Sequence, residues 1–187
     1  MSGLSVSEFW FQYSDQPYEL IQGQPCPQVN KEYVHELVCS RIRLCLDVYV
    51  ESNYLGEVLG DRTRFALAEN EVRAADVAFV SHAKITRIID PESYLPFAPD
   101  LMIEVISARF TSTQIQEKIY RFLDGGTQLV WIVDPVSREI TVIDADGNVD
   151  TLTQDEIITG HTVIPGLTLR VDDLFPPLDT TLRYSYT

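Results

Sequence analysis

Two acidic residues stand inside stretches that are otherwise apolar, and a lysine follows one of them. In Leu101–Ile106 (LMIEVI) every residue except Glu104 is apolar. A short apolar run of this kind, bounded by Pro99 and Ser107, is expected to be a central strand covered on both faces. A carboxylate in its middle is costly to bury unless it is paired, protonated or bound to a metal. Asp76 is the second such acid. In the run Glu71 to Val80, alternation puts Ala74, Asp76, Ala78 and Val80 on one face, and the small neighbours leave room beside the carboxylate. Carboxylates on adjacent strands can share a divalent ion that takes oxygen ligands, and Mg2+ or Mn2+ is expected. Such an ion makes a water more nucleophilic and neutralises charge building on a phosphate. An ammonium nearby orients that water or stabilises the transition state, and Lys118 is placed to supply it. The chemistry these three residues could do is phosphodiester hydrolysis without a covalent intermediate. The same residues also allow a structural reading, a buried ion pair between Glu104 and Lys118.

Two further groups deserve a role or a dismissal. Glu19, in the strand-like Tyr18–Ile21, is a possible accessory acid, although a solvated strand position is the commoner outcome. His35 comes early in a helix. A metal role is possible, but a surface or capping role is expected, because no second His lies at i+4.

The elements that must hold these groups follow from periodicity. Thr111 to Asp124 is expected as a helix: Thr111 and Gln114 fit a capping box, Ile115, Ile119, Phe122 and Leu123 form an apolar stripe, and Gly125-Gly126 ends it. Lys118 falls about 85° from the centre of that stripe, at the border of the buried face. Leu129 to Val133 is a second apolar strand, stopped by Asp134-Pro135. Strand, helix, strand with short links makes a right-handed crossover between parallel strands. In Leu101–Ile106, alternation puts Asp100, Met102, Glu104 and Ile106 on one side and Leu101, Ile103 and Val105 on the other.

Upstream, Ser7 to Trp10 could begin a short helix, and Gln22-Gly23 ends the first strand in a turn. Asn30 is expected to cap a helix from Lys31 to about Val50. Gly56 to Leu67 and Glu71 to Val80 are expected as two strands of one hairpin, turning at Ala68 to Glu71. The long link from Ser81 to Ala98 should hold a short helix or a flap. Downstream, Glu139–Ile143 and Val149–Thr153 form a hairpin about Asp146-Gly147, in which Asp144, Asp146 and Asp150 are turn chemistry rather than a calcium loop. Gly160 to Val171 gives a last strand or pair of strands, and Leu174 to Pro177 closes the domain.

At 187 residues the chain is expected to be one domain, residues 1–187, with an ordinary hydrophobic core. No apolar run approaches a membrane span and the start lacks a signal-peptide pattern, so a cytoplasmic protein is expected. Cys26, Cys39 and Cys45 match no zinc spacing and are expected as free thiols. The net charge of −14 argues against non-specific nucleic-acid binding by the whole surface. Between Lys31 and Arg121, however, 11 basic residues face 14 acidic ones, a net of −3, which would allow a locally basic cleft.

Several segments carry a family resemblance: Tyr18–Gly23 (YELIQG), His35, Ala75–Val80 (ADVAFV), Pro99–Ser107 (PDLMIEVIS), Lys118 with Tyr120, and Trp131–Pro135 (WIVDP). The chain resembles the Uma-type restriction-endonuclease-like family of the PD-(D/E)xK nuclease superfamily, from Tyr18 to about Leu167. The resemblance implies an α/β fold, a mixed central sheet flanked by helices with extra N- and C-terminal β-hairpins. It implies divalent-metal-dependent cleavage of DNA, by analogy in a homodimer. It makes Asp76 and Glu104 metal ligands, with the backbone carbonyl of Val105 as a third and Lys118 as the catalytic lysine. The superfamily lysine usually lies two residues after the glutamate, where this chain has Ile106. Asp100 could be a further ligand or a strand-start cap. It lies about 13 Å from Glu104 at ~3.3 Å per residue and ranks below the pair. Ala75 replaces the proline usual before the first aspartate, and Ala108-Arg109-Phe110 replaces the usual Pro-Ser-Thr. A non-enzymatic scaffold or nucleic-acid-binding module is the alternative on this ground.

Overall fold

A computed structural model describes residues 3–28, 32–88, 90 and 93–177. The chain runs α1 (Val6–Tyr13), β1 (Tyr18–Ile21), β2 (Gln24–Pro27), α2 (Tyr33–Ser52), β3 (Gly56–Gly60), β4 (Arg64–Ala68), β5 (Glu71–Ala74), β6 (Val77–Ser81) and α3 (His82–Ile85). It continues with β7 (Leu101–Val105), α4 (Ser112–Asp124), β8 (Leu129–Asp134), β9 (Glu139–Asp144), β10 (Val149–Leu152), β11 (Ile157–Gly160), β12 (Ile164–Arg170) and a closing 3-10 turn at Val171–Leu174.

Six strands form the central sheet in the order β10-β9-β8-β7-β6-β3. Only β7 and β8 pair in parallel, joined over the sheet by α4; the other neighbours are antiparallel, which makes the sheet mixed. The expected crossover is therefore present. Leu101 to Val105 are all buried, as a central strand covered on both sides requires. Leu101, Ile103 and Val105 pack with Val38, Ile42, Leu46 and Val50 of α2, while Met102 packs with Ile119 and Phe122 of α4. The two layers of helix thus take opposite sides of β7, and Glu104 belongs to the α4 side. The capping box of α4 is made in both directions between Thr111 and Gln114.

A second, antiparallel sheet has the order β2-β1-β5-β4. Its presence corrects the expected single hairpin. Gly56 to Leu67 is broken at Asp61–Thr63, and Glu71 to Val80 is broken at Ala75-Asp76, so the halves next to the turn, β4 and β5, pair in the small sheet and the halves far from it, β3 and β6, in the large one. The break lets one long ribbon serve two sheets, and it sets Asp76 at the corner between them. β2, with prolines at 25 and 27, was not expected as a strand; it is an edge, where missing N–H donors are tolerated.

α2 starts at Tyr33 with Glu32 as its cap residue and no side-chain cap bond. The expected cap Asn30 and Lys31 lie outside the described residues. The link after β6 holds the short helix α3 and a bridge from Leu95 to Phe65. Asp144 accepts from Asn148 and the amide of Asp146 within the β9–β10 turn, as turn chemistry predicts. No helix among the described residues is long and apolar enough to cross a membrane.

Candidate active site

The pairing of β6 with β7 aligns Val77 with Ile103 and Ala78 with Met102. Continued by one residue, that antiparallel register sets Asp76 opposite Glu104. The two expected acids are therefore neighbours across the strand ends. Their side chains are buried, 0% exposed for Asp76 and 6% for Glu104. Each is stabilised by named donors, as a buried carboxylate must be.

Glu104 is held from α4. Lys118 Nζ donates to both of its oxygens, at 2.7 and 2.8 Å. Lys118 reaches across from the border of the buried stripe, the position its helical angle predicts. Burial alone would push this ammonium toward neutrality. The charges of Glu104, Glu19 and Asp76, with the hydrogen bond to Glu104, outweigh burial and hold the lysine above its ordinary value. Lys118 is thus a fixed cation at neutral pH and not a proton acceptor.

Asp76 is held from the other layer. Its Oδ2 lies 2.9 Å from His35 Nε2 and accepts from the Val105 amide at 2.8 Å. The Val105 N–H leaves β7 on the edge facing β6, and the carbonyl of the same residue leaves the same edge. His35 corrects the expectation of a surface or capping role: it is 3% exposed and bound to Asp76. Sequence could not show this, because the partner is 41 positions away.

Glu19 is half-buried and accepts from the Ala74 amide at 2.8 Å. It lines a cavity of about 350 Å3 together with Glu104, Lys118, Arg73, Asp61 and Glu117. Glu19 is therefore not a freely solvated strand position: it is half-buried on the cavity that Glu104 and Lys118 also line. Asp100 is not brought to this cavity. Its oxygens are taken by Lys84 at 3.0 Å and the Ser81 amide at 2.7 Å, where it ties α3 to the start of β7. These contacts fit the strand-start role, away from the residues that line the cavity.

The ionisable lining also corrects the expectation of a locally basic cleft. Four carboxylates face two cations there, which suits an added cation better than a bare phosphate. Asp76 and Glu104 present buried oxygen donors, with the Val105 carbonyl on the same edge; this hard donor set fits Mg2+ or Mn2+.

Arg73 was missed by sequence reasoning. It is 5% exposed and lines the cavity. Its Nε donates to Glu71 at 2.6 Å, while its buried Nη2 makes no hydrogen bond among the described residues. An alternation of Val72 and Arg73 in a short strand gave no sign that the arginine pointed inward.

A crystal structure from Anabaena variabilis ATCC 29413, described as "a putative nuclease belonging to DUF820", has the same fold, with a TM-score of 0.79 at 20% identity over 92% of this chain and 97% of that one. No curated protein matches the chain. The family model "Uma2: Putative restriction endonuclease" matches residues 6–172, and the chain belongs to that family.

Proposed function

We propose that this chain is a nuclease that hydrolyses phosphodiester bonds of DNA, with Mg2+ or Mn2+ held by Asp76, Glu104 and the Val105 carbonyl. The observation that supports it best is the meeting of Asp76 and Glu104 at adjacent strand ends beside one buried ammonium. Bound there, a divalent ion would lower the pKa of a water and neutralise charge on the scissile phosphate. The protein's own groups do the rest. His35 and the Val105 amide hold Asp76 in one orientation. Lys118 keeps its charge and stands next to Glu104, where it stabilises the anionic phosphorane-like transition state. The buried Arg73 lines the same cavity as Glu104 and Lys118 and adds its fixed positive charge beside a phosphate bound there. Two such chains in a homodimer would cut both strands of a duplex.

The first test is calorimetric titration of Mg2+ and Mn2+ into wild type and Glu104→Gln, followed by cleavage of supercoiled and linear DNA. Saturable binding that the variant loses, with metal-dependent cleavage, is the expected result. Titrations are repeated with a DNA duplex present; no binding and no cleavage under either condition would overturn the reading. Sedimentation gives the oligomeric state.

A second reading has one observation in its favour: both oxygens of Glu104 already accept from Lys118. A scaffold or nucleic-acid-binding module would keep that pair as a structural bridge. It predicts DNA binding without metal and without cleavage.

A further inference from the structure

A smaller cavity of about 80 Å3 is lined by His35, Glu36, Cys39, Asp61 and Asp76, among others. His35 and Cys39 are one turn apart on α2, so both side chains leave the same face of the helix. Donor atoms of His35, Cys39 and Asp76 all lie within 4.8 Å of one another. His35 Nδ1 is 3.5 Å from Cys39 Sγ, and Glu36 Oε1 lies 3.7 Å from the same nitrogen. A tetrahedral zinc with bonds of about 2.3 Å to sulfur and 2.0–2.1 Å to nitrogen sets those two ligands ~3.6 Å apart. The other ring nitrogen, Nε2, is held by Asp76, the carboxylate partner that a metal-bound imidazole ordinarily requires.

We propose that His35 and Cys39 form a second cation site, selective for a soft divalent transition ion of the zinc class. Cys39 Sγ and His35 Nδ1 bind the ion directly, Asp76 orients the imidazole through Nε2, and the Glu36 carboxylate and water complete the shell. The donor set differs in kind from that of the acid pair. A thiolate and an imidazole favour zinc, cobalt or copper, whereas carboxylate and carbonyl oxygens favour magnesium or manganese. The spacing escapes zinc-finger patterns because two ligands come from one helix turn and the orienting acid from a sheet corner.

Cobalt(II) is the probe, because a cobalt–thiolate bond produces a charge-transfer band in the near ultraviolet. Titration of the reduced full chain is expected to give this band with one equivalent of Co2+, and Zn2+ is expected to abolish it. Cys39→Ser should lose the band, Cys26→Ser should keep it, and Glu104→Gln should keep it. A wild-type titration without the band overturns the proposal. So does a band that survives in Cys39→Ser, or one that Glu104→Gln removes, since the ion would then sit on another thiol or on the acid pair. If Cys39→Ser fails to fold, the wild type still decides. Zn2+ should slow alkylation of Cys39, located by peptide mass spectrometry, at least about tenfold; unchanged reactivity overturns the site. The inference does not rest on the nuclease reading: a cobalt–thiolate band with no Mg2+ binding and no cleavage, with or without DNA, would keep this site and remove the other.

Discussion

Lys118 spans from the middle of α4 to Glu104 on the central strand and donates to both carboxylate oxygens, at 2.7 and 2.8 Å. The side chains are 15% and 6% exposed, so water screens the pair weakly. Removing one partner from such a pair leaves an uncompensated charge, whereas removing both does not. Lys118→Met is therefore expected to destabilise the fold by about 3–5 kcal/mol. The double variant Lys118→Met/Glu104→Gln should recover most of that loss. Urea unfolding of the wild type, both single variants (Lys118→Met and Glu104→Gln) and the double variant checks both statements, and near-wild-type stability of Lys118→Met would show that the pair contributes nothing to the fold.

The same pair sets an alkaline limit. Its lysine is held above the ordinary value in the folded state by Glu104, Glu19 and Asp76, against the opposing effect of burial. A raised folded-state pKa means that the contribution is present in full below the unfolded value, ~10.4, and is lost as pH rises through the folded one. The stability gap between wild type and Lys118→Met should stay level from neutral pH to about 10 and then narrow. Thermal unfolding of both proteins across that range measures it. A gap that closes below pH 9 would mean that another group controls it.

The parts of this arrangement that local pattern encodes were legible, and the parts made by distant contact were not. The β7–α4–β8 unit follows from an apolar run, a capping box and Gly125-Gly126, and all three act within a few residues. Glu104 and Lys118 were visible for the same reason: each breaks or borders a period. The ribbon Gly56 to Val80 misled in two ways: the polar run Asp61-Arg62-Thr63 is a turn signal that a single-hairpin reading passes over, whereas Ala75-Asp76 interrupts an otherwise apolar stretch with one residue only. Only the existence of a second sheet separates its halves. His35 was visible early in its helix and in the family resemblance; its buried partner was not legible, since helical position says nothing about a strand corner 41 residues on. Arg73 was hidden because a buried cation is the exception for its residue type.

His35 holds Asp76 through a hydrogen bond of 2.9 Å inside the protein. His35→Ala leaves that carboxylate without its ring partner, though the Val105 amide still donates to it. The expected loss is about 1–3 kcal/mol of stability, the cost of an incompletely satisfied buried group. If Asp76 binds Mg2+, affinity should also fall roughly 10- to 100-fold, as when a group orienting a metal ligand is lost. His35→Gln, which can donate from its amide, should restore part of both. Calorimetry and urea unfolding on the three proteins separate the two effects; an unchanged Mg2+ affinity in His35→Ala would show that Asp76 needs no orientation from this side.

Arg73 offers the sharpest separation of binding from chemistry. Its Nε is committed to Glu71 at 2.6 Å, and Glu117 Oε1 is 3.8 Å from its Nη2. Gln22 ties the same two acids together, by its amide to Glu71 and its side chain to Glu117. The guanidinium is therefore fixed before any phosphate arrives, and preorganised donors of this kind act on the transition state. Arg73→Lys keeps a positive charge beside Glu71 but cannot reproduce the planar fork. Under the nuclease reading, cleavage should slow by about 10²–10³-fold, the cost of losing one such donor. Mg2+ affinity should be nearly unchanged, because the arginine touches neither Asp76 nor Glu104 in the contacts described. Single-turnover cleavage beside metal calorimetry tests this. Parallel losses in both would assign Arg73 to holding the site together, and cleavage at the wild-type rate would remove it from phosphate recognition.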